Sequence, residues 1–259
     1  MTPDQLRSVL GSAPESTALL FDFDGTLAPI VADPDGVVAA AGALELLGRL
    51  AQRFRTVAVV SGRPRSFLRP IVPDGVDISA LYGLESRIAG VDADHPDAEV
   101  WRGVVDEVLA TCALPPGVVV EPKGYSLTAH FRRVPDAAPA VEAWAEETAA
   151  ATGLLARAAK ASIELHPPVD ADKGSAVHAL AEGCSAVSYV GDDVGDLPAF
   201  DALDGLAAQG VQTVKVVSAG FEVPDSMAAS ADVVVDGPDD VVALFAPLAP
   251  LVPDAASGA

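Results

Sequence analysis

Two aspartates, Asp22 and Asp24, follow directly on a short apolar run and are separated by Phe23 alone. Alternate residues of an extended strand point the same way, so we expect the two carboxylates to lie close together. Such a pair repels unless a cation neutralises it or the groups share a proton. Mg²⁺ prefers oxygen ligands, and a carboxylate can also attack phosphorus. The pattern predicts a magnesium site with an aspartate nucleophile; the alternative is an ordinary polar turn.

Three further polar groups follow later in the chain, each at the end of an apolar or helical pattern. Ser61 ends an apolar run, Lys173 opens a helical pattern, and Asp192 and Asp193 follow another apolar run. A lysine at a helix start is by default solvated, but this chain has only four lysines. Singly, Ser61 and Lys173 are weak signals of chemistry.

The elements that must position these groups form an α/β pattern. Apolar runs at 18–21, 56–60 and 186–190 are typical of parallel strands covered on both faces. Helical patterns at 43–53 and 173–181 lie between them, which predicts a doubly wound, Rossmann-like parallel sheet. Ligands of such sheets bind beyond the carboxyl ends of the strands, where the polar groups sit. Further core elements are predicted as strands at 213–217 and 232–235 and a helix at 238–245.

The middle of the chain has a different pattern, typical of a small α+β domain inserted into the core. We predict, in order, a hairpin of 118–121 and 125–131, a helix at 137–151, and strands at 154–157 and 162–165. The sequence therefore predicts a catalytic core of residues 1–99 and 169–250, an α+β cap domain at 100–168, and a flexible tail at 251–259.

Composition limits the class of protein. The 259 residues are 50% hydrophobic, which favours a well-buried core, and the net charge of −21 argues against nucleic acid as a partner. No apolar run is long enough for a membrane span, and residues 1–16 do not resemble a signal peptide. Cys112 and Cys184 have no metal-like spacing, and two buried thiols fit a reducing cytosol. We expect a cytoplasmic monomer that acts on a small molecule.

Four motifs, in the right order, resemble those of the haloacid dehalogenase superfamily, most of whose members are phosphatases. They are Asp22-Phe23-Asp24-Gly25-Thr26, Val60-Ser61-Gly62-Arg63, Asp172-Lys173-Gly174 and Gly191-Asp192-Asp193. The resemblance implies that Asp22 attacks phosphorus, while Asp24 protonates the leaving oxygen and then activates water. It implies that Mg²⁺ is held by Asp22, the backbone carbonyl of Asp24 and Asp192, with support from Asp193. Ser61 and Lys173 would offset the charge of the phosphate.

The predicted cap resembles that of trehalose-6-phosphate phosphatases. The matching segments are Glu121-Pro122-Lys123, His130-Phe131-Arg132 and Glu164-Leu165-His166-Pro167, and in the core Ala28-Pro29-Ile30 and Tyr82-Gly83-Leu84-Glu85. The resemblance implies hydrolysis of trehalose 6-phosphate. The sugar contacts that it implies are Glu121, Lys123, His130, Arg132 and Glu164. Charged side chains of this kind bind hydroxyl pairs strongly.

Three positions depart from the family's motifs. Gly195 and Leu197 stand where the fourth motif has threonine and glutamate, and His166 stands where the cap motif has arginine. The acidic residues around them remain, among them Asp196. Three alternatives stay open: a phosphatase for sucrose phosphate or mannosyl-phosphoglycerate, a phosphomannomutase-like enzyme, and a non-catalytic sugar- or partner-binding protein.

Overall fold

A computed structural model describes residues 1–31, 36–159, 161–220, 223 and 225–250. Its strands are β1 (Thr17–Phe21), β2 (Thr56–Val60), β3 (Asp77–Ala80), β4 (Glu85–Ile88), β5 (Val91–Asp94), β6 (Val119–Pro122), β7 (Leu127–His130), β8 (Leu155–Ala159), β9 (Ser162–His166), β10 (Ala186–Gly191), β11 (Gln212–Ser218) and β12 (Val233–Val235). Its helices are α1 (Pro3–Gly11), α2 (Ala43–Ala51), α3 (Arg65–Leu68), α4 (Glu99–Thr111), α5 (Ala138–Thr152), α6 (Lys173–Leu180), α7 (Leu197–Ala208), α8 (Asp225–Ser230) and α9 (Pro238–Phe245).

The larger sheet has the order β12-β11-β10-β1-β2-β3-β4-β5. The pairs from β12 to β3 are parallel, whereas β4 and β5 form an antiparallel hairpin at the edge. The predicted doubly wound α/β core is therefore confirmed, and each core strand and helix that the sequence predicts is present with small shifts at its ends. The hairpin was not predicted, because its strands are short and partly or fully exposed and so lack the apolar run of a central strand.

Helices cover both faces of this sheet, as the alternation of side chains along each strand requires. Leu19 and Phe21 of β1 point to the face covered by α1, α2 and α9. Ala18 and Leu20 of the same strand point to the face covered by α6 and α7. All residues of β1 are buried, so this strand lies at the centre of the core and its carboxyl end lies at the centre of the sheet edge.

The second sheet is antiparallel, with the order β6-β7-β9-β8. Leu127 and Leu165 belong to its apolar face, which packs with Val105 of α4 and Val141 of α5. All four strands lie within residues 119–166, inside the predicted cap. The additional antiparallel sheet confirms the α+β character of this region, while the domain boundaries at 100 and 168 remain a prediction. The predicted tail at 251–259 lies outside the described residues. Among the helices in the described ranges, none has both the length and the hydrophobicity that crossing a bilayer requires.

Candidate active site

Asp22 lies immediately beyond the end of β1. Its backbone N–H donates to the carbonyl of Val190 (2.9 Å), which holds it in line with the neighbouring strand β10. The chain then turns tightly, and Gly25 has a φ of 78°. A side chain at Gly25 would overlap the carboxylate of Asp192, so glycine is required here for both conformation and space. This turn therefore brings Asp22 and Asp192 to the same point of the sheet edge.

Lys173 connects Asp22, beyond β1, with Asp196, in the loop after β10. Asp172 caps α6 by accepting a hydrogen bond from the backbone N–H of Ser175 (2.7 Å), which makes Lys173 the first residue of the helix. Its Nζ donates to Oδ1 of Asp22 (2.8 Å) and to Oδ1 of Asp196 (2.6 Å). The lysine is thus held by two ion pairs in a buried position beside the predicted nucleophile.

Asp196 is fully buried and organises the loop after β10. Its Oδ2 accepts the backbone N–H groups of Asp192 (2.9 Å) and Asp193 (3.2 Å), while its Oδ1 accepts from Lys173 and from the hydroxyl of Tyr189 (2.6 Å). Sequence reasoning assigned this residue no role. The signal that could have found it is its position four residues after Asp192, within one turn of the same loop.

Carboxylates outnumber cations in this cluster. Carboxylate oxygens of Asp22, Asp192 and Asp196 lie within 4.8 Å of one another, and Lys173 is their one ion-pair partner among the described residues. Burial, together with the charges of Asp22, Asp196 and Asp193, raises the pKa of Asp192 to about 10. Burial also raises the pKa of Asp22 well above its usual range, against the opposing effect of Lys173. A divalent cation would relieve this excess of negative charge.

The oxygen donors present fit Mg²⁺. Because both oxygens of Asp196 already accept hydrogen bonds, Asp22 and Asp192 are the better candidates for direct contact with a metal. Asp193 is half-buried, and its Oδ1 accepts the backbone N–H of Gly195 (2.8 Å). Of the predicted ligands, the structure thus brings Asp22 and Asp192 together and uses the side chain of Asp193 to cap a turn.

The carboxylate of Asp24 does not join the cluster of Asp22, Asp192 and Asp196 and pairs instead with Arg63. Nε and Nη2 of Arg63 each lie 2.8 Å from one oxygen of Asp24, a bidentate arrangement that fixes the carboxylate. The guanidinium also stacks on the ring of Phe67, 4.4 Å from its centroid. Sequence reasoning missed this partner, although Arg63 lies only two residues after Ser61. Asp24 keeps 37% of its side-chain surface exposed, so it remains accessible from the cleft.

Ser61 lies at the end of β2, next to β1 in the sheet. Its backbone N–H donates to the carbonyl of Ser79 (2.9 Å), and its Oγ accepts the backbone N–H of Arg63 (3.1 Å). A hydroxyl that accepts one hydrogen bond can still donate its own proton. The structure therefore places a hydroxyl at the sheet edge that contains Asp22, as the sequence predicts.

Four of the predicted sugar contacts form a cluster on the smaller sheet. Nε2 of His130 lies 2.8 Å from Oε2 of Glu121. Oε1 of Glu164 accepts from the hydroxyl of Ser126 (2.8 Å) and lies 3.9 Å from Nζ of Lys123. The fifth predicted contact, Arg132, does not join them. It is exposed and forms no hydrogen bond or ion pair with any residue that the structure describes.

The three departures from the family's motifs have identifiable surroundings. Asp193 and Asp196 cap the short turn that contains Gly195, so the loop has support without the missing hydroxyl. Leu197 begins α7 and packs against the core between α6 and α7. His166 ends β9, and burial together with the charge of Arg157 lowers its pKa.

The chain matches the family model described as Trehalose-phosphatase over residues 20–235. A trehalose-phosphate phosphatase of Mycobacterium avium (strain 104) is 36% identical over 234 residues, covering 81% of this chain and 58% of the relative. A trehalose-phosphate phosphatase of Mycobacterium tuberculosis (strain ATCC 25618 / H37Rv) is 34% identical over 224 residues, covering 78% and 56%. The chain thus spans somewhat over half the length of these curated relatives.

Solved structures agree with this match. The fold is similar to that of the Candida albicans trehalose-6-phosphate phosphatase C-terminal domain, with a TM-score of 0.74, 23% identity, and coverage of 97% of this chain and 98% of that one. An Aspergillus fumigatus trehalose-6-phosphate phosphatase (crystal form 3) has a TM-score of 0.64, 26% identity, and coverage of 96% and 97%. Because the family model covers most of the chain, the protein belongs to the trehalose-phosphatase family.

Proposed function

We propose that this protein hydrolyses trehalose 6-phosphate to trehalose and inorganic phosphate, as a step in trehalose biosynthesis. The observation that carries the proposal is the position of Asp22, buried beyond β1 and paired with Lys173, within reach of Asp192. Membership of the family supports the substrate, as do relatives that are themselves described as trehalose-phosphate phosphatases.

In the proposed reaction, an oxygen of Asp22 attacks phosphorus and the sugar oxygen leaves, which forms an aspartyl phosphate. Asp24 donates a proton to the leaving oxygen and then takes one from the water that hydrolyses the intermediate, a role typically worth about 10²–10⁴ in rate. Arg63 occupies both oxygens of the Asp24 carboxylate and favours its ionised form, so this pair must open before Asp24 can hold the proton that it donates. Lys173 and the hydroxyl of Ser61 would bind the phosphoryl oxygens and offset their charge.

We propose Mg²⁺ as the cofactor. Asp22, Asp192 and the backbone carbonyl of Asp24 would hold it, and Asp193 would support the loop from which Asp192 reaches it. When bound, the ion would neutralise charge between the nucleophile and the phosphate. The dense and buried set of carboxylate oxygens supports this assignment.

The polar face of the smaller sheet is the proposed site for the sugar. Glu121, Lys123, His130 and Glu164 lie together on it, and charged groups bind the hydroxyl pairs of a disaccharide well. Arg132 remains a weaker member of the set, because it lies on an exposed turn. We further propose that the enzyme is a cytoplasmic monomer. The free thiols of Cys112 and Cys184 support a reducing compartment.

Phosphate release tests the proposal. The purified protein is assayed with trehalose 6-phosphate, sucrose 6-phosphate, glucose 6-phosphate and mannosyl-phosphoglycerate, in the presence of Mg²⁺. We expect kcat/KM to be highest for trehalose 6-phosphate. A higher value for another sugar phosphate would change the substrate and keep the chemistry. Isomerisation without release of phosphate would replace the hydrolase with a mutase.

A further inference from the structure

One residue from each strand of the smaller sheet contributes to a single row across its polar face. Glu121 on β6 lies opposite Thr128 on β7, Thr128 lies opposite Glu164 on β9, and Glu164 lies opposite Arg157 on β8. Directly opposite residues share a face of a sheet, so the four side chains point the same way. The strands β6, β7 and β9 each contain a proposed sugar contact, and Arg157 extends the row to the fourth strand, β8.

Arg157 stacks on a side chain of the core. Its guanidinium lies 4.9 Å from the centroid of the Tyr82 ring. The residue is half-buried, and its guanidinium forms no hydrogen bond or ion pair with any residue in the described ranges. A guanidinium carries five N–H donors in a fixed plane, and here an aromatic ring holds that plane in place. The donors are therefore oriented and available for acceptors from a ligand.

Tyr82 lies in a strained turn attached to the predicted phosphate-binding loop. Leu81 and Tyr82 have φ values of 46° and 59°, which are unfavourable for residues with a side chain. The backbone N–H of Tyr82 donates to the carbonyl of Ser61 (3.1 Å), and its ring packs against Gly62, where a Cβ would collide with the phenol. The ring is thus held above the loop that follows β2, so Arg157 lies close to that loop as well.

The surroundings of Tyr82 join the two halves of the proposed site. Burial and the charge of Glu164 raise the pKa of its phenol, whereas Lys173 and Arg157 oppose that shift. Tyr82 is thus within electrostatic range of both Glu164, a proposed sugar contact, and Lys173, a proposed phosphoryl contact. The row itself also has unused capacity, because the buried hydroxyl of Thr128 has no hydrogen-bond partner in the described part of the chain.

We propose that Arg157 is a specificity-determining residue that donates hydrogen bonds to hydroxyl oxygens of the sugar part of the substrate, with Tyr82 as the platform that orients it. A planar fork of donors matches a pair of neighbouring hydroxyl oxygens, which a polyol supplies. Arg157 also provides a guanidinium on the same sheet face as His166, the position at which the cap motif carries arginine. The inference rests on the proposed function, since it concerns the sugar of that same reaction.

Steady-state kinetics with two substrates test the role of Arg157. For Arg157→Gln we expect kcat/KM for trehalose 6-phosphate to fall about 10- to 100-fold, the range for a lost charge-assisted hydrogen bond. Hydrolysis of an aryl phosphate, which lacks the sugar, should fall far less. Arg157→Lys should recover part of the loss, because it keeps the charge without the planar fork. The matched control is Arg133→Gln, which removes an exposed arginine of the same region.

Two variants of Tyr82 test its role in orienting Arg157. Tyr82→Leu removes the ring and should lower kcat/KM for trehalose 6-phosphate by about two- to fivefold. Tyr82→Phe keeps the ring and should lose less. Titration calorimetry with trehalose, the reaction product, should give a weaker Kd for Arg157→Gln than for the native protein. Thermal unfolding of each variant checks that the fold is retained.

Three results would overturn the inference: equal losses on both substrates, unchanged trehalose binding in Arg157→Gln, or an equal loss in Arg133→Gln. Failure of the proposed function is a separate outcome. If the native protein hydrolyses another sugar phosphate better, the same variants are compared on that substrate, and a selective loss keeps the role of Arg157. A native protein that hydrolyses no sugar phosphate faster than the aryl phosphate contradicts both.

Discussion

The sheet edge around Asp22 and the polar face of the smaller sheet differ in how their charged side chains are paired. At the edge, Lys173 makes two ion pairs and Asp196 accepts four hydrogen bonds. On the polar face, Glu121 and Glu164 have partners, whereas the hydroxyl of Thr128 and the guanidinium of Arg157 have no hydrogen-bond partner among the described residues. The groups proposed to act on phosphorus are therefore held by hydrogen bonds and ion pairs before a substrate arrives, which is the arrangement that electrostatic catalysis requires. The face proposed to bind the sugar still has hydrogen-bonding groups that a ligand could pair with.

The largest expected effect concerns the sheet edge around Asp22. Asp22→Asn keeps the shape of the side chain but removes its charge and its nucleophilic oxygen, so turnover should fall by more than about 100-fold with every substrate. Phosphate release from trehalose 6-phosphate and from an aryl phosphate measures the loss, and circular dichroism checks folding. Retention of more than about one per cent of activity would exclude the covalent mechanism.

Removal of the proposed Mg²⁺ should affect the same region. We expect EDTA to abolish hydrolysis of both substrates and Mg²⁺ to restore it, because the carboxylate cluster lacks enough cationic charge by itself. Asp192→Ala should raise the Mg²⁺ concentration required for half-maximal rate, or eliminate the activity. Full activity in metal-free buffer would sink the assignment of a metal site.

A third experiment compares the two regions directly. Glu164→Ala should lower kcat/KM for trehalose 6-phosphate, with a loss of transition-state stabilisation of roughly 2–4 kcal/mol, because a buried charged contact is lost. Its effect on hydrolysis of an aryl phosphate should be far smaller. Lys173→Ala should reduce the rates with both substrates alike, because we propose that this lysine binds the phosphoryl group, which both substrates share. The ratio of the two losses in each variant is the measurement. Equal losses in Glu164→Ala would mean that this residue shapes the fold or the catalytic site.

The smallest expected effect is on stability. The pKa of Asp192 is about 10 in the folded protein and 3.8 in its ordinary environment. At a pH between these two values, the unfolded chain therefore binds fewer protons than the folded protein. Stability without metal should therefore fall as pH rises through this window. Asp192→Asn removes that penalty, and if the gain is about 1 kcal/mol, its Tm at pH 8 should exceed the native value by about 2–4 °C.

Added Mg²⁺ provides the control for the stability experiment. The ion should raise the Tm of the native protein and have little effect on Asp192→Asn, because the variant has lost one of the proposed ligands. The measurement needs no catalytic activity. A native protein that is more stable than Asp192→Asn in metal-free buffer at pH 8 would contradict the proposed charge imbalance.

The sequence by itself determined the core elements, their order, and the groups at their ends. The common position of Asp22, Ser61 and Asp192 could be predicted because apolar runs identify parallel strands, and parallel strands bring their carboxyl ends to one edge. The α+β character of the inserted region followed from its hairpin and helix patterns in the same way. Local periodicity was sufficient for the strands and helices, whereas the choice of Ser61 and Lys173 depended on the resemblance to the family's motifs.

Only the tertiary structure decided which side chains pair. That Asp24 binds Arg63, that Asp196 holds both Lys173 and the loop after β10, and that Arg132 is left exposed depends on distances between elements far apart in the chain. The contact of Arg157 with Tyr82 is of the same kind, since it joins the smaller sheet to a strained turn of the larger one. Hydrophobic spacing specifies which face of an element is buried, whereas the partner of a polar group depends on packing between elements.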